Sequence, residues 1–141
     1  AELVARLRAH PQIEAVVTAD ELVNRPVSKQ APDTWTLHDK LRASFHPGRS
    51  GDFIVVLKPR VTPIPESGLG YVATHGSVWD YDRRVPILFW RKGLMGFEQP
   101  NAVMTVDILP TLASLIGVPV EVGKIDGRCL DLLSGPESSC R

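Results

Sequence analysis

The sequence predicts an α/β layer structure with about three buried strands and flanking helices. Three observations lead to that class. Val85–Trp90 (VPILFW) and Phe53–Leu57 (FIVVL) are continuous apolar runs of strand length, the pattern of strands covered on both faces, and Ile13–Thr18 (IEAVVT) reads as a further short strand. Between and after these runs, apolar residues recur at three- and four-residue spacing, as in helices packed by one face. Finally, Gly70–Trp90 joins a loop dense in polar groups directly to an apolar run. A rigid strand presenting such a loop is how α/β proteins commonly hold a reactive group still.

Bulk composition narrows the function classes. The 141 residues are 43% hydrophobic, enough for a single domain-sized unit with a real core. Lys plus Arg equals Asp plus Glu at 16 each, so no net field favours nucleic acid or an anionic membrane surface. The apolar runs fall far short of the ~20 residues that a spanning helix needs. No charged start followed by an apolar signal-peptide core is visible. The chain opens Ala-Glu-Leu-Val, already helical in pattern and without an initiator Met, and so reads as a piece of a longer polypeptide.

Taken in order, Glu2–Ala9 carries Leu3, Val4 and Leu7 on one helical stripe and is ended by Pro11. The strand Ile13–Thr18 follows, then a turn of helix over Asp20–Asn24 and a connection over Arg25–Asp33. Thr36 is placed to cap a helix with Asp39 at its third position, and Leu37, Leu41 and Phe45 form its apolar stripe. His46–Asp52 is a tight loop feeding the strand Phe53–Leu57, after which Pro59, Pro63 and Pro65 lead out of the sheet and Thr62–Leu69 is surface loop. Beyond Val85–Trp90, Arg91–Asn101 is irregular. Asp107 is the expected N-cap of a helix over Ile108–Ile116, with Ile108, Leu112, Leu115 and Ile116 facing inward and Gly117 and Pro119 as the stop. Asp126-Gly127-Arg128 is a turn before a polar tail. Cys129 and Cys140 lie in that tail, either as free thiols or, the favoured reading, as a bridge contributing roughly 3 kcal/mol by loop closure.

The chemistry concentrates between Thr74 and Arg84. His75 is either a hydrogen-bonding residue, the commoner role of a lone loop histidine, or a metal ligand, a role its setting favours: Gly76 leaves room for close approach, and Thr74 and Ser77 could orient the ring. One imidazole does not hold zinc, which takes about three protein ligands in a catalytic site. Asp80 and Asp82 are nearby carboxylates, but an Asp-Tyr-Asp-Arg-Arg run more simply makes turns and ion pairs that fix the loop. His10 and His46 precede prolines at helix ends, and His38 lies in a first helical turn. Arg83, Arg84, Arg91 and Lys92 read as a solvated rim, and Arg49-Ser50-Gly51 as either a turn or an anion-binding set of N–H groups. No Gly-x-Ser-x-Gly elbow, P-loop or dinucleotide fingerprint occurs.

Thr74-His75-Gly76-Ser77, then Tyr81-Asp82 and Val85-Pro86-Ile87-Leu88-Phe89, resembles the C-terminal metal-site segment of the alkaline phosphatase superfamily. Within it the chain is most similar to bacterial periplasmic zinc phosphatases with a threonine nucleophile, and next to the type I phosphodiesterase/nucleotide pyrophosphatase enzymes. Pro47–Asp52 with its following strand, and Val106–Leu112 ahead of Asp126-Gly127, agree in the same order. The resemblance implies that residues 1–141 are a single C-terminal fragment of a larger catalytic domain that hydrolyses small phosphate esters with two zinc ions. It implies that His75 matches the last zinc-ligating histidine, while the nucleophile, the Asp ligands and an Asp-His pair belong upstream. This fragment then contains no catalytic or cofactor-binding residue beyond His75, is inactive alone, and partners with the N-terminal remainder or forms a homodimer. The parent is expected to be periplasmic or secreted, its signal peptide in the N-terminal part. A non-catalytic α/β partner-binding module is the alternative, motivated by the missing nucleophile.

Overall fold

The computed structural model describes residues 2–64, 70, 73–121 and 123–140. The chain gathers into two units, one of residues 1–30 with 34–85 and the other of 31–33 with 86–141.

In the first unit, α1 (Glu2–Arg8) leads into β1 (Ile13–Thr18), which pairs antiparallel with β2 (Phe53–Leu57). Thr18 stands opposite Phe53 and Ile13 opposite Leu57, with a bulge between Ile13 and Ala15. The long return between the strands carries α2 (Ala19–Val23) and α3 (Leu37–Ser44). Both helices begin at a threonine with an acidic residue three positions on, and at α3 the cap is reciprocal. Thr36 Oγ1 accepts the Asp39 N–H at 3.3 Å while Asp39 Oδ2 accepts the Thr36 N–H at 3.0 Å, as the spacing predicts. At α2 the Glu21 carboxylate accepts the Thr18 N–H at 2.6 Å and the Thr18 hydroxyl at 2.8 Å. Those bonds, with help from Arg8, hold the Glu21 pKa below the usual carboxylate range.

The core of this unit is Val17, Leu22, Leu41, Phe45 and Val56, with Leu37, Ile54, Val78 and Trp79 packed around it. The stripe expected for α3 is therefore the one that packs inward. Leu22 is fully enclosed at 0% exposure, and α2 owes its place to that one side chain.

The sheet departs from expectation at Val85–Trp90. Among the described residues it has two strands, and Val85–Trp90 carries no ladder; Leu88 and Trp90 are 88% and 84% exposed. Apolar runs report a demand for burial, but a ladder also needs a neighbour whose N–H and C=O groups are free. For the same reason β2 is covered less completely than its composition suggests, and Val55 is exposed. The surface loop expected over Thr62–Leu69 lies, from 65 to 69, outside the described residues, as do Tyr71 and Val72 of the Gly70–Trp90 stretch.

The second unit is built on a 3-10 turn, Thr105–Asp107, continuing into α5 (Ile108–Ile116) and ending at Gly117, whose N–H returns to the Ser114 carbonyl. Two expectations are corrected here. Asp107 does not cap α5; its buried carboxylate accepts the Met104 N–H at 2.9 Å through Oδ2 and the Arg128 N–H at 2.9 Å through Oδ1. Helical backbone at Asp107 itself turns the carboxylate toward the preceding turn and the incoming tail. The buried face of α5 is then Pro110, Thr111 and Ala113, while Leu109, Leu112 and Ile116 are exposed. Periodicity identifies the apolar stripe, but not whether its covering surface belongs to the same stretch of chain.

Thr111 continues the tail docking: its hydroxyl donates to the Asp107 carbonyl at 2.6 Å and accepts the Leu130 N–H at 2.9 Å. Gly127 makes this approach possible, since a Cβ there would fall 2.0 Å from the Val106 carbonyl oxygen. Cys129 and Cys140 are joined, with Cα atoms 5.8 Å apart, so the bridged alternative holds. Inside that loop Asp131 accepts the Ser139 and Leu133 N–H groups, each at 3.0 Å. These bonds pull its pKa from 3.8 to about 2.

Two outcomes follow from this packing. Leu22→Ala should cost about 2–5 kcal/mol in urea unfolding, whereas Leu3→Ala, at an exposed site, should stay within about 0.5 kcal/mol. Asp131 has a depressed folded-state pKa, so its contribution is fully present above its unfolded value and is lost as pH falls through about 2. Thermal melts should therefore show the wild type losing stability between about pH 4 and pH 2, with a shallower loss in Asp131→Asn.

Candidate functional site

The segment carrying His75 is fixed at its C-terminal side by α4 (Asp80–Arg83), a single turn that Trp79 enters in extended conformation. Three contacts tie this turn to the sheet and to α3. Trp79 Nε1 donates to the Leu57 carbonyl at 3.0 Å, at the C-terminal end of β2. The Tyr81 hydroxyl accepts the Arg60 N–H at 2.8 Å. Arg60 is held in the left-handed region at φ 64°, which for a non-glycine residue costs roughly 1 kcal/mol. Lys40 Nζ, in the middle of α3 and largely covered, reaches Asp80 Oδ1 at 2.8 Å.

Charge is arranged around Asp80. Arg84 lies 3.3 Å and Arg83 3.7 Å from its carboxylate, and the Arg83 guanidinium also sits 5.7 Å from the centre of the Trp35 ring. The Lys40 hydrogen bond, then the charges of Lys40, Arg84 and Arg83, lower the Asp80 pKa. Asp80 is thus a structural ion-pair hub, as the simpler reading of the Asp-Tyr-Asp-Arg-Arg run holds.

From this base the chain runs back to His75, which is exposed. Asp82 Oδ2 accepts the Ser77 N–H at 2.5 Å. The Ser77 backbone and hydroxyl, the Gly76 N–H and the nearby His75 together lower the Asp82 pKa. Gly76 has φ 101°, which L side chains rarely adopt, and open space lies where a Cβ would stand. The hydrogen bonds of Thr74 and Ser77 run to backbone and to Asp82, so here the loop is ordered through its main chain and not through hydroxyls on the ring.

The remaining candidates have structural duties. Nδ1 of His10 accepts the Gln12 N–H at 3.2 Å and Nδ1 of His46 the Gly48 N–H at 3.1 Å, so both histidines close turns after helices. The Arg49 and Ser50 N–H groups go to the His46 carbonyl, which decides for the turn and against an anion cradle. His38 lies in the first turn of α3, and Arg91 and Lys92 are exposed. The signal that sequence reading passed over is Thr18-Ala19-Asp20-Glu21, a capping box as clear in spacing as the one at Thr36.

Among the described residues no three His, Cys, Asp or Glu side chains converge as a metal site. Both cysteines are bridged, and Asp80 and Asp82 are engaged as above. His75 suits the role of a single nitrogen ligand, exposed beside an unobstructed glycine, and zinc needs further donors to join it. Among the described residues no helix is long and apolar enough to cross a membrane.

No family model matches the chain. Individual proteins do. It is 57% identical over 140 residues to alkaline phosphatase PhoK of Sphingomonas sp, covering 99% of this chain and 25% of that protein. It is 54% identical over 136 residues to alkaline phosphatase PhoD of Zymomonas mobilis subsp. mobilis, covering 96% of this chain and 23% of that protein. The chain thus spans about a quarter of the length of the curated relatives it matches.

Proposed function

We propose that the chain is the C-terminal part of a zinc-dependent phosphate-ester hydrolase of the alkaline phosphatase type, in which His75 supplies one ligand to a two-metal centre. The observation that carries this reading is the similarity of nearly the whole chain to two alkaline phosphatases. Zinc bound there would polarise a phosphoryl oxygen and stabilise the attacking and leaving oxygens. The chain's own part is narrower. His75 offers an exposed imidazole on a loop held by α4, and Lys40, Trp79 and Tyr81 keep that support attached to α3 and β2. The nucleophile and the other donors are assigned to upstream residues of the parent polypeptide.

Two further features support the reading. The Cys129–Cys140 bridge suits an oxidising compartment, periplasmic or extracellular. The exposed apolar residues Leu88 and Trp90, and separately Leu109, Leu112 and Ile116 on α5, ask for cover that the relatives' additional length could provide. A non-catalytic module would use the same faces for a partner, and the activity of the parent separates the two readings.

In the full-length polypeptide, His75→Ala should lower zinc affinity and phosphatase turnover by more than the ~100-fold upper range of an indirect positioning partner. Unchanged metal content and activity would contradict the assignment. The chain by itself should hydrolyse a nitrophenyl phosphate no faster than buffer, and clear turnover by the pure chain would overturn the division of labour. Light scattering should show the isolated chain self-associating as concentration rises, because its apolar faces lack their cover; a concentration-independent monomer mass would count against that.

A further inference from the structure

Asp82 has a place that neither the fold nor the zinc reading by itself requires. It belongs to α4, whose other residues make their contacts with groups outside the His75 loop: Asp80 with Lys40 on α3, Tyr81 with Arg60 beyond β2, and Arg83 with Trp35. Asp82 alone of these reaches back toward it, accepting the Ser77 N–H at 2.5 Å. That bond closes the turn from Ser77 to Asp82 and fixes the peptide plane between Gly76 and Ser77, one residue after His75. Packing constrains the loop little, since residues 73–77 are all exposed. Gly76 at φ 101° would otherwise be free to visit many conformations, and each would carry the preceding imidazole to a different position.

Resting on the proposed role of His75, we propose that Asp82 is the positioning residue for that histidine, transmitting the rigidity of α4 to the imidazole through the Ser77 N–H. Asp82 does not bind the metal in this account. It acts on the main chain, unlike the familiar arrangement in which a carboxylate holds a ligating ring by its second nitrogen. The role needs an oxygen acceptor at the right distance and does not need a negative charge. That separates it from direct ligation, which needs the carboxylate, and from general support of the fold, which would not discriminate zinc affinity from stability.

The test is chelator competition for zinc in the full-length polypeptide, with thermal stability measured in parallel. Asp82→Ala, which removes the acceptor, should weaken zinc binding about 10–100-fold. Asp82→Asn, which keeps an oxygen for the Ser77 N–H, should restore affinity to within about threefold of wild type, while Asp82→Glu, one methylene longer, should not. His75→Ala serves as the reference and should lose more than any of them. Wild-type affinity in Asp82→Ala, with His75→Ala weakened, would overturn the positioning role and leave the ligand assignment standing. Equal losses in Asp82→Asn and Asp82→Ala would overturn it in favour of a requirement for charge. If Asp82→Ala fails to fold, the Asn and Glu variants decide: wild-type affinity in Asp82→Glu contradicts the proposal. Unchanged affinity in His75→Ala would remove the ligand assignment and the positioning role together.

Discussion

The attachment of α4 to the end of β2 and the side of α3 is the constraint from which the rest of the candidate site follows. Lys40–Asp80 at 2.8 Å has one partner largely covered, so it is less screened than a fully exposed pair. The Trp79 indole both packs on the core and satisfies the Leu57 carbonyl at the strand's end. An aromatic ring with a polar handle is suited to that double duty. A helix of four residues has no stability of its own, and α4 exists because these contacts hold it. A polar loop can then leave the protein surface and still begin from a defined point.

The second unit uses a different device for the same problem of ordering irregular chain. Its tail has little apolar material, and it is ordered by buried polar groups that are each fully used. Asp107 takes two main-chain N–H groups from opposite directions, and Thr111 donates and accepts in one hydroxyl. No buried side-chain polar atom among the described residues is left without a partner. Such networks are costly when incomplete and specifying when complete. The Cys129–Cys140 bridge then limits how far the final residues stray when that network opens.

Local elements were legible where one stretch of sequence contains the whole cause. The Thr36–Asp39 cap, the Leu37–Leu41–Phe45 stripe and the two paired strands all depend on neighbours in sequence or on a simple apolar pattern, and the structure has them. Val85–Trp90, and Leu112 and Ile116 of the stripe expected on α5, are legible as apolar but not as exposed, because an apolar pattern does not say which surface lies against it. Asp107 misled for a related reason: its residue type suits a cap, and only the approach of Arg128, far along the chain, decides where the carboxylate turns. In the candidate site, the loop chemistry marks His75 as a polar group held near a sheet, and its ligand role is what the family resemblance implies. The way the loop is held is not legible, since Asp82 and Ser77 become partners only once α4 is anchored.

The role proposed for His75 is that of one ligand, presented on an anchored turn, to a metal ion completed by residues outside this stretch. Anomalous diffraction at the zinc edge from crystals of the full-length polypeptide tests it most directly. A zinc peak is expected at about 2.0–2.1 Å from a ring nitrogen of His75, with α4 still joined to Lys40 and Leu57. A fully loaded metal centre with the His75 ring turned to solvent and no peak beside it would contradict it.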